Sequence, residues 1–288
     1  MKGGPRLKED DPTLYIVPTP IGNLEDMTFR AVRVLRSVSC ILAEDTRQSG
    51  ILCRHHEIFT RRVSFNEHNG AQRIPWIIDE MKRGASFALV SDAGCPGISD
   101  PGQPLIREVV ASSLRLEVLP GPSAVPTALA GSGFVANSFL FEGFLPRKGK
   151  ERQAILQALA TERRTMVLFE SPVRLVATLE DLARIMGLDR RAVVARELTK
   201  IHETWHRGSL KDLVEGFVQT PPRGEMVIVI EGAVKRLVAV DPEEIDLLID
   251  GALAEGMGVK EIARSVAERT SSSLRDAYDR VLRRKPSP

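Results

Sequence analysis

Two short stretches place acid and base groups where apolar runs end: Glu44, Asp45 and Arg47 in AEDTR, and Lys200, His202 and Glu203 in TKIHE. Groups so placed can take up a proton, grip a phosphate backbone, or pair with one another as a salt-bridged layer between domains. Four other segments carry shape rather than charge: VPTPIGN (Val17–Asn23), SDAGCPGISDPG (Ser91–Gly102), LPGPSA (Leu119–Ala124) and FEGFLPRKGK (Phe141–Lys150). Glycine there lets the backbone approach a ligand, and proline sets the loop's shape in advance. Turns of this kind expose N–H and C=O groups that read a polar ligand at little ordering cost. Neither GxxxxGK[ST] nor a GxGxxG turn opening the first helix occurs, so the ligand is not expected to be held by its phosphates. No HExxH or CxxC set occurs either, so no metal is expected. His55 and His56 lack the i, i+4 spacing of a helical metal pair and read as a surface loop, and Cys95 is given no nucleophilic role.

The elements that would position these groups alternate along the chain. Apolar runs at LYIV (Leu14–Val17), VSCILA (Val38–Ala43), RRVSF (Arg61–Phe65), SFALVS (Ser86–Ser91) and RLEVLP (Arg115–Pro120) predict strands. Between them, spacings such as Leu24, Met27, Ala31, Leu35 and Val38 predict amphipathic helices. Continuous apolar strands alternating with helices indicate a mainly parallel sheet covered on both faces. A second α/β set follows at SFLFEGF, TMVLFE, AVVARE and MVIVIEG, and the small, Gly-rich AGSGFVANS marks a joint between the sets. After Val240 the strands stop and three short helices follow. The expected parts are a loose tail over 1–12, α/β domains over 13–130 and 131–237, and a helical domain over 241–288. In open sheets a ligand binds beyond the carboxyl ends of the strands, and the four shaped loops are expected to converge on one such rim.

The 288 residues, 43% hydrophobic and 27% charged, suit a soluble globular protein with sizeable cores. A net charge of +2 makes any nucleic-acid footprint local rather than global. Three cysteines without pairing exclude a disulfide framework and favour a reducing cytoplasm. No run is long enough to span a bilayer, and MKGGPRLKEDDP has no apolar core of a signal peptide.

In order along the chain, VPTPIGNLEDMTFRA, AEDTR, SDAGCPGISDPG, PGPSA, FEGFLPRKGK, FESPVR, RELTKIHE and RGEMVIVIEG closely resemble the ribosomal RNA small subunit methyltransferase I family of the tetrapyrrole methylase superfamily. The resemblance runs from about Leu14 to Gly232, and the last helices are similar to that family's helix-turn-helix extension. It implies two α/β domains of the tetrapyrrole methylase type, S-adenosylmethionine bound in the cleft between them, and a homodimer. The implied activity is 2′-O-methylation of a cytidine in the decoding region of 16S rRNA, with the small ribosomal subunit as partner. It places Pro18 on one cofactor wall and Asp92, Gly94, Pro96, Gly97, Ile98 and Ser99 beneath the methionine and ribose parts. Ser123 and Ala124 would add backbone contacts, and Leu198 and Met226 would close over the adenine.

A ribose hydroxyl is a poor nucleophile, and a general base helps by about 10²–10⁴-fold. Asp45 or Glu203 is expected to handle the proton while Arg47 and Lys200 touch RNA. Further RNA contacts are expected from Lys148 and Lys150 beside Arg147, and from Arg280, Arg283 and Arg284 on the last helix. Two alternatives use the same scaffold: a tetrapyrrole ring methylase, and an RNA-binding assembly factor without chemistry.

Overall fold

A computed structural model of the chain describes residues 11–99, 102–233, 242–270 and 272–285. Most of the expected tail, Asp100 and Pro101 of the long glycine loop, and the expected junction over 238–240 lie outside the described residues. The chain divides into two compact units, residues 1–233 and 234–288. Among the described residues no helix is long and apolar enough to cross a membrane.

The first sheet of the larger unit is built from β1 (Thr13–Ile16), β2 (Cys40–Ala43), β3 (Arg62–Ser64), β4 (Phe87–Val90) and β5 (Arg115–Val118). They lie in the order β3-β2-β4-β1-β5, and every pair is parallel. The runs CILA and FALV are buried throughout because helices cover both faces. On one side α1 (Phe29–Ser37) and α2 (Thr46–His55) set Val34, Leu35 and Leu52 against Ile41, Ala88 and Val90. On the other, α3 (Gly70–Lys82) and α4 (Gln103–Ala111) set Ile77, Met81 and Leu105 against Leu42, Phe87 and Leu89. The α1 helix begins later than the apolar spacing suggested, because the Thr28 hydroxyl caps it by accepting from Ala31 N–H. With all strands parallel, every carboxyl end emerges on one edge.

After α5 (Ala124–Ser132) come β6 (Phe139–Phe144), α6 (Lys150–Ala160), β7 (Thr165–Glu170), α7 (Pro172–Met186), β8 (Arg191–Arg196), β9 (Thr204–Ser209), α8 (Leu210–Gln219) and β10 (Met226–Ile230). The second sheet has the order β6-β7-β10-β8-β9, and only β6 and β7 run parallel. β9, with the sequence TWHRGS, has no apolar run to announce it and forms a mostly exposed edge. Side chains alternate cleanly across this sheet. Met166, Leu168, Val194 and Ile228 face α6, α7 and α8, whereas Val167, Val193, Ala195 and Val227 face Val125, Ala128 and Leu129 of α5. The joint expected at 130/131 therefore falls inside a helix that packs on the second sheet.

The smaller unit holds α9 (Pro242–Ala254), α10 (Val259–Arg269) and α11 (Leu274–Arg284) around Ile245, Ile249, Ile262, Ala263, Ala277 and Val281. The turn between α10 and α11 ends at Ser273, whose hydroxyl accepts from Asp276 N–H and starts α11.

At Gly131 in α5 any side chain would overlap the Trp205 ring of β9, while the Gly131 carbonyl accepts from Arg207 at 2.6 Å. Glycine-to-alanine changes inside helices ordinarily stabilise by about 1 kcal/mol. Here overpacking reverses the sign: Gly131→Ala is expected to cost about 1–3 kcal/mol in urea denaturation.

Candidate functional site

The carboxyl-end loops of β1, β4 and β5 meet the ends of β6, β7, β8 and β10 around one cleft of about 410 Å³, within the size range of small-molecule sites. Two of the loops are stitched together: Thr19 and Gly94 exchange backbone hydrogen bonds of 2.8 and 2.9 Å. A third leans on them, because Gly121 leaves no room for a side chain beside Pro18. The second lobe closes from the opposite side, where a Cβ on Gly22 would stand 2.9 Å from the Leu198 carbonyl.

Of the residues expected to hold the cofactor, Asp92, Gly94, Ile98, Ser99, Ser123, Ala124, Leu198 and Met226 line the cleft. Pro18, Pro96 and Gly97 do not. Pro18 and Pro96 are buried behind the wall, and Gly97, at φ +84°, turns the loop so that Ile98 and Ser99 face the opening. Ser99 itself sits at φ +59°, and Glu197 and Thr199 flank Leu198 at +53° and +66°. Non-glycine residues held in this region cost of order 1–3 kcal/mol each, and they gather at functional sites. Glu197 is held there by Glu225 N–H at 2.8 Å and Lys200 Nζ at 3.0 Å.

The cleft has distinct chemical walls. Ile21, Val125, Phe169, Ala195, Leu198 and Met226 give it an apolar side. The first turn of α5 opens into it, and Ser123 makes no side-chain cap, so helix N–H groups remain for an anionic group. Opposite stand two carboxylates. Glu44 lies at 3.4 Å from Asp92 N–H, and Asp92 accepts from Asp45 N–H at 3.0 Å. Burial, and then the charge of Asp92, raise Glu44 above the usual carboxylate range; burial likewise raises Asp92.

The residues expected to move a proton are committed elsewhere. Asp45 caps α2 and takes a bidentate grip from Arg47, whose hydrogen bond holds the carboxyl down at about 2. Glu203, exposed, accepts from Thr199 N–H at 2.6 Å and Trp205 Nε1 at 2.8 Å. Neither lines the cleft, whereas Glu44 does. Of the expected RNA contacts, Arg47 is thus paired with Asp45, and Lys200 with Glu197 and Glu225. In the smaller unit Arg280 binds Asp246 at 2.8 Å, and Arg284 binds Asp246 at 2.9 Å and Asp250. Arg283, Lys148 and Lys150 are exposed.

Sequence reasoning missed Phe144, Phe169, Glu170 and Glu225 in the lining. All four stand in recognisable motifs at strand ends, which is the signal that would have found them.

The family profile of tetrapyrrole (corrin/porphyrin) methylases matches residues 13–214. The ribosomal RNA small subunit methyltransferase I of Synechocystis sp. is 42% identical over 93% of this chain and 97% of its own length. The enzyme of that name from Thermotoga maritima is 47% identical over 76% of this chain and 98% of its own, so it has nothing to match about a quarter of this one. Among solved structures, a uroporphyrin-III C-methyltransferase from Thermus thermophilus, complexed with S-adenosylhomocysteine, has a TM-score of 0.56 at 16% identity over 76% of this chain and 97% of that one. This last likeness shows the fold. With its two sheets, its shared cleft and its match along nearly the whole of such relatives, the chain belongs to the ribosomal RNA small subunit methyltransferase I family of the tetrapyrrole methylases.

Proposed function

We propose that the protein binds S-adenosylmethionine in the cleft and transfers its methyl group to the 2′-hydroxyl of a cytidine in the decoding region of 16S rRNA, within the small ribosomal subunit. A homodimer working in the cytoplasm is part of the same reading. The observation that carries it is the convergence of loops from both sheets on one cleft, in a chain of this family. Tetrapyrrole methylation and a silent assembly role rest on fold similarity alone.

The residues present fit such a donor. Its adenine suits the apolar side between Leu198 and Met226, and its carboxylate suits the open N–H groups of α5. Its cationic sulfonium suits the wall of Glu44 and Asp92. The donor supplies an activated methyl group; the protein supplies alignment, worth roughly 7–11 kcal/mol when the reacting atoms are held about 3–3.5 Å apart. The proton leaving the ribose hydroxyl is assigned to Glu44 rather than Asp45 or Glu203. Its carboxylate faces the cleft and is a stronger base than an ordinary one, whereas Asp45 is held at about 2. Lys148 and Lys150 grip the RNA backbone, while Arg47 and Lys200 are available only on breaking their ion pairs.

Small subunits from cells lacking this protein, incubated with it and labelled donor, are expected to gain one 2′-O-methylcytidine by mass spectrometry; label on a base, or none, removes the proposal. Lys148→Ala and Lys150→Ala are each expected to reduce the salt slope of RNA binding by about 1.

Glu44→Gln is expected to slow single-turnover methylation by about 10²–10⁴-fold. Because the pKa of Glu44 is raised in the ligand-free protein, wild-type kcat/KM for the donor climbs with pH through a step above the ordinary value for Glu, and Glu44→Gln lacks that step. In stability the sign is opposite. A raised folded-state pKa penalises the ionised form, so Glu44→Gln is expected to stabilise the ligand-free protein at neutral pH. That gain shrinks as the pH falls through the raised folded-state pKa and is gone below about 4.3, where unfolded Glu is protonated as well. Thermal melts at pH 4 and pH 7 measure it.

A further inference from the structure

We infer that Phe144 is the platform on which the base of the target nucleotide stacks while its ribose faces the cleft; this rests on the function proposed above and names the residue that reads the substrate.

Phe144 lines the cleft yet is 55% exposed, with one face left open for a flat partner. Its direction comes from an irregularity in β6. Phe141 pairs in register with Val167, but Gly143 pairs with Leu168 and Phe144 with Phe169, so Glu142 is an extra residue. In a regular strand Phe141 and Phe144, three apart, would point to opposite faces. The bulge puts both on the side of Val167 and Phe169, the side that runs into the cleft. Gly143 makes the bulge possible with a φ of +73°, and its bare Cα lets Ser99 Oγ approach to within 3.0 Å of where a Cβ would stand.

The ring is braced from below and behind. Phe169 touches it at 5.6 Å between centroids and is itself backed by Phe141 at 5.0 Å. The next two carbonyls are clamped: Leu145 O accepts from Arg174 at 2.6 Å and Pro146 O from Arg152 at 3.1 Å. Both arginines are anchored in turn. Arg152, 6% exposed, bonds Asp181 at 2.8 Å and Thr178 at 3.2 Å. Arg174 pairs at 3.3 Å with Glu170, a carboxylate 3% exposed that also accepts from Thr178 at 2.6 Å. A platform this firmly held loses little entropy when a flat partner lands on it.

The neighbourhood selects a nucleotide. Arg147, Lys148 and Lys150 follow within six residues, all exposed and without an ion pair among the described residues. An aromatic face beside free cations is the pairing that holds splayed single-stranded RNA: stacking takes the base, and the cations take its phosphates.

Phe144→Ala, Phe144→Leu and Phe144→Trp test this, read as kcat/KM for small subunits, with S-adenosylhomocysteine affinity by calorimetry and thermal melts alongside. Phe144→Ala and Phe144→Leu are expected to lose about 5- to 150-fold in kcat/KM, the range one base–aromatic stack supports, and Phe144→Trp to stay near wild type. S-adenosylhomocysteine affinity is expected unchanged throughout. Equal activity of Phe144→Leu and wild type would show that the ring only fills space and overturns the inference. A parallel loss of S-adenosylhomocysteine affinity would place the cofactor's adenine on the ring and overturns it too. Wild-type protein that binds S-adenosylhomocysteine but leaves small subunits unmethylated sinks the proposed function and this inference together; an active wild type with an unaffected Phe144→Ala sinks the platform alone.

Discussion

Backbone-close packing between the two sheets' loops is the constraint on which the site depends. Gly22 from the first lobe lies against the Leu198 carbonyl, and Gly143 of the second against Ser99 of the first. These contacts leave the cleft as the space that side chains surround but do not enter. They also set the distance between the carboxylate wall of Glu44 and Asp92 and the apolar wall of Leu198 and Met226. Methyl transfer needs little chemistry from the protein beyond placement, so a site whose walls are spaced by main chain rather than by flexible side chains meets the principal demand.

Maintaining that spacing strains the rim. Ser99, Glu197 and Thr199 take left-handed conformations that glycine would adopt freely, and Ser99 and Thr199 lie where one lobe approaches the other. The Glu197 carboxylate, bonded to Glu225 N–H and Lys200, supplies compensation at the second lobe. On the opposite wall the strain is electrostatic. Glu44 and Asp92 are partly desolvated with like charges adjacent, which raises both and makes this wall a favourable place for a cation. A positively charged ligand would relieve only the second of these costs; the first fixes the shape of the loops.

Sequence pattern revealed the fold wherever burial was uniform. TMVLFE, FALV and MVIVI are strands because both faces are covered, and such runs stand out in any context. The same uniformity hides direction: nothing in MVIVI or RAVVAR tells a parallel neighbour from an antiparallel one, and the second sheet is mostly antiparallel. TWHRGS stayed hidden because an exposed edge strand needs no apolar face. At the site, glycine and proline made the loops legible, since they shape backbone whatever surrounds them. Which carboxylate of AEDTR faces the cleft was not legible. Glu44 and Asp45 are neighbours, and the choice turns on where β2 stops and α2 begins, with Asp45 taken as the helix cap. Phe144 was hidden for a related reason: its direction depends on a one-residue bulge that alternation counted along the strand cannot foresee.

The basic residues of the last helix carry a different lesson about charge. In the sequence Arg280 and Arg284 look like a nucleic-acid face, but in the fold both reach Asp246 or Asp250 of α9 and help close a small helical unit with only a modest apolar core. Arginines spent this way contribute little to counterion release, because their charge is already balanced. In the larger unit Lys148 and Lys150 stand exposed at the start of α6, just after carbonyls held by Arg152 and Arg174, and neither is in an ion pair among the described residues. Cations without a partner release counterions when they meet a phosphate, whereas paired arginines must first give up their carboxylates.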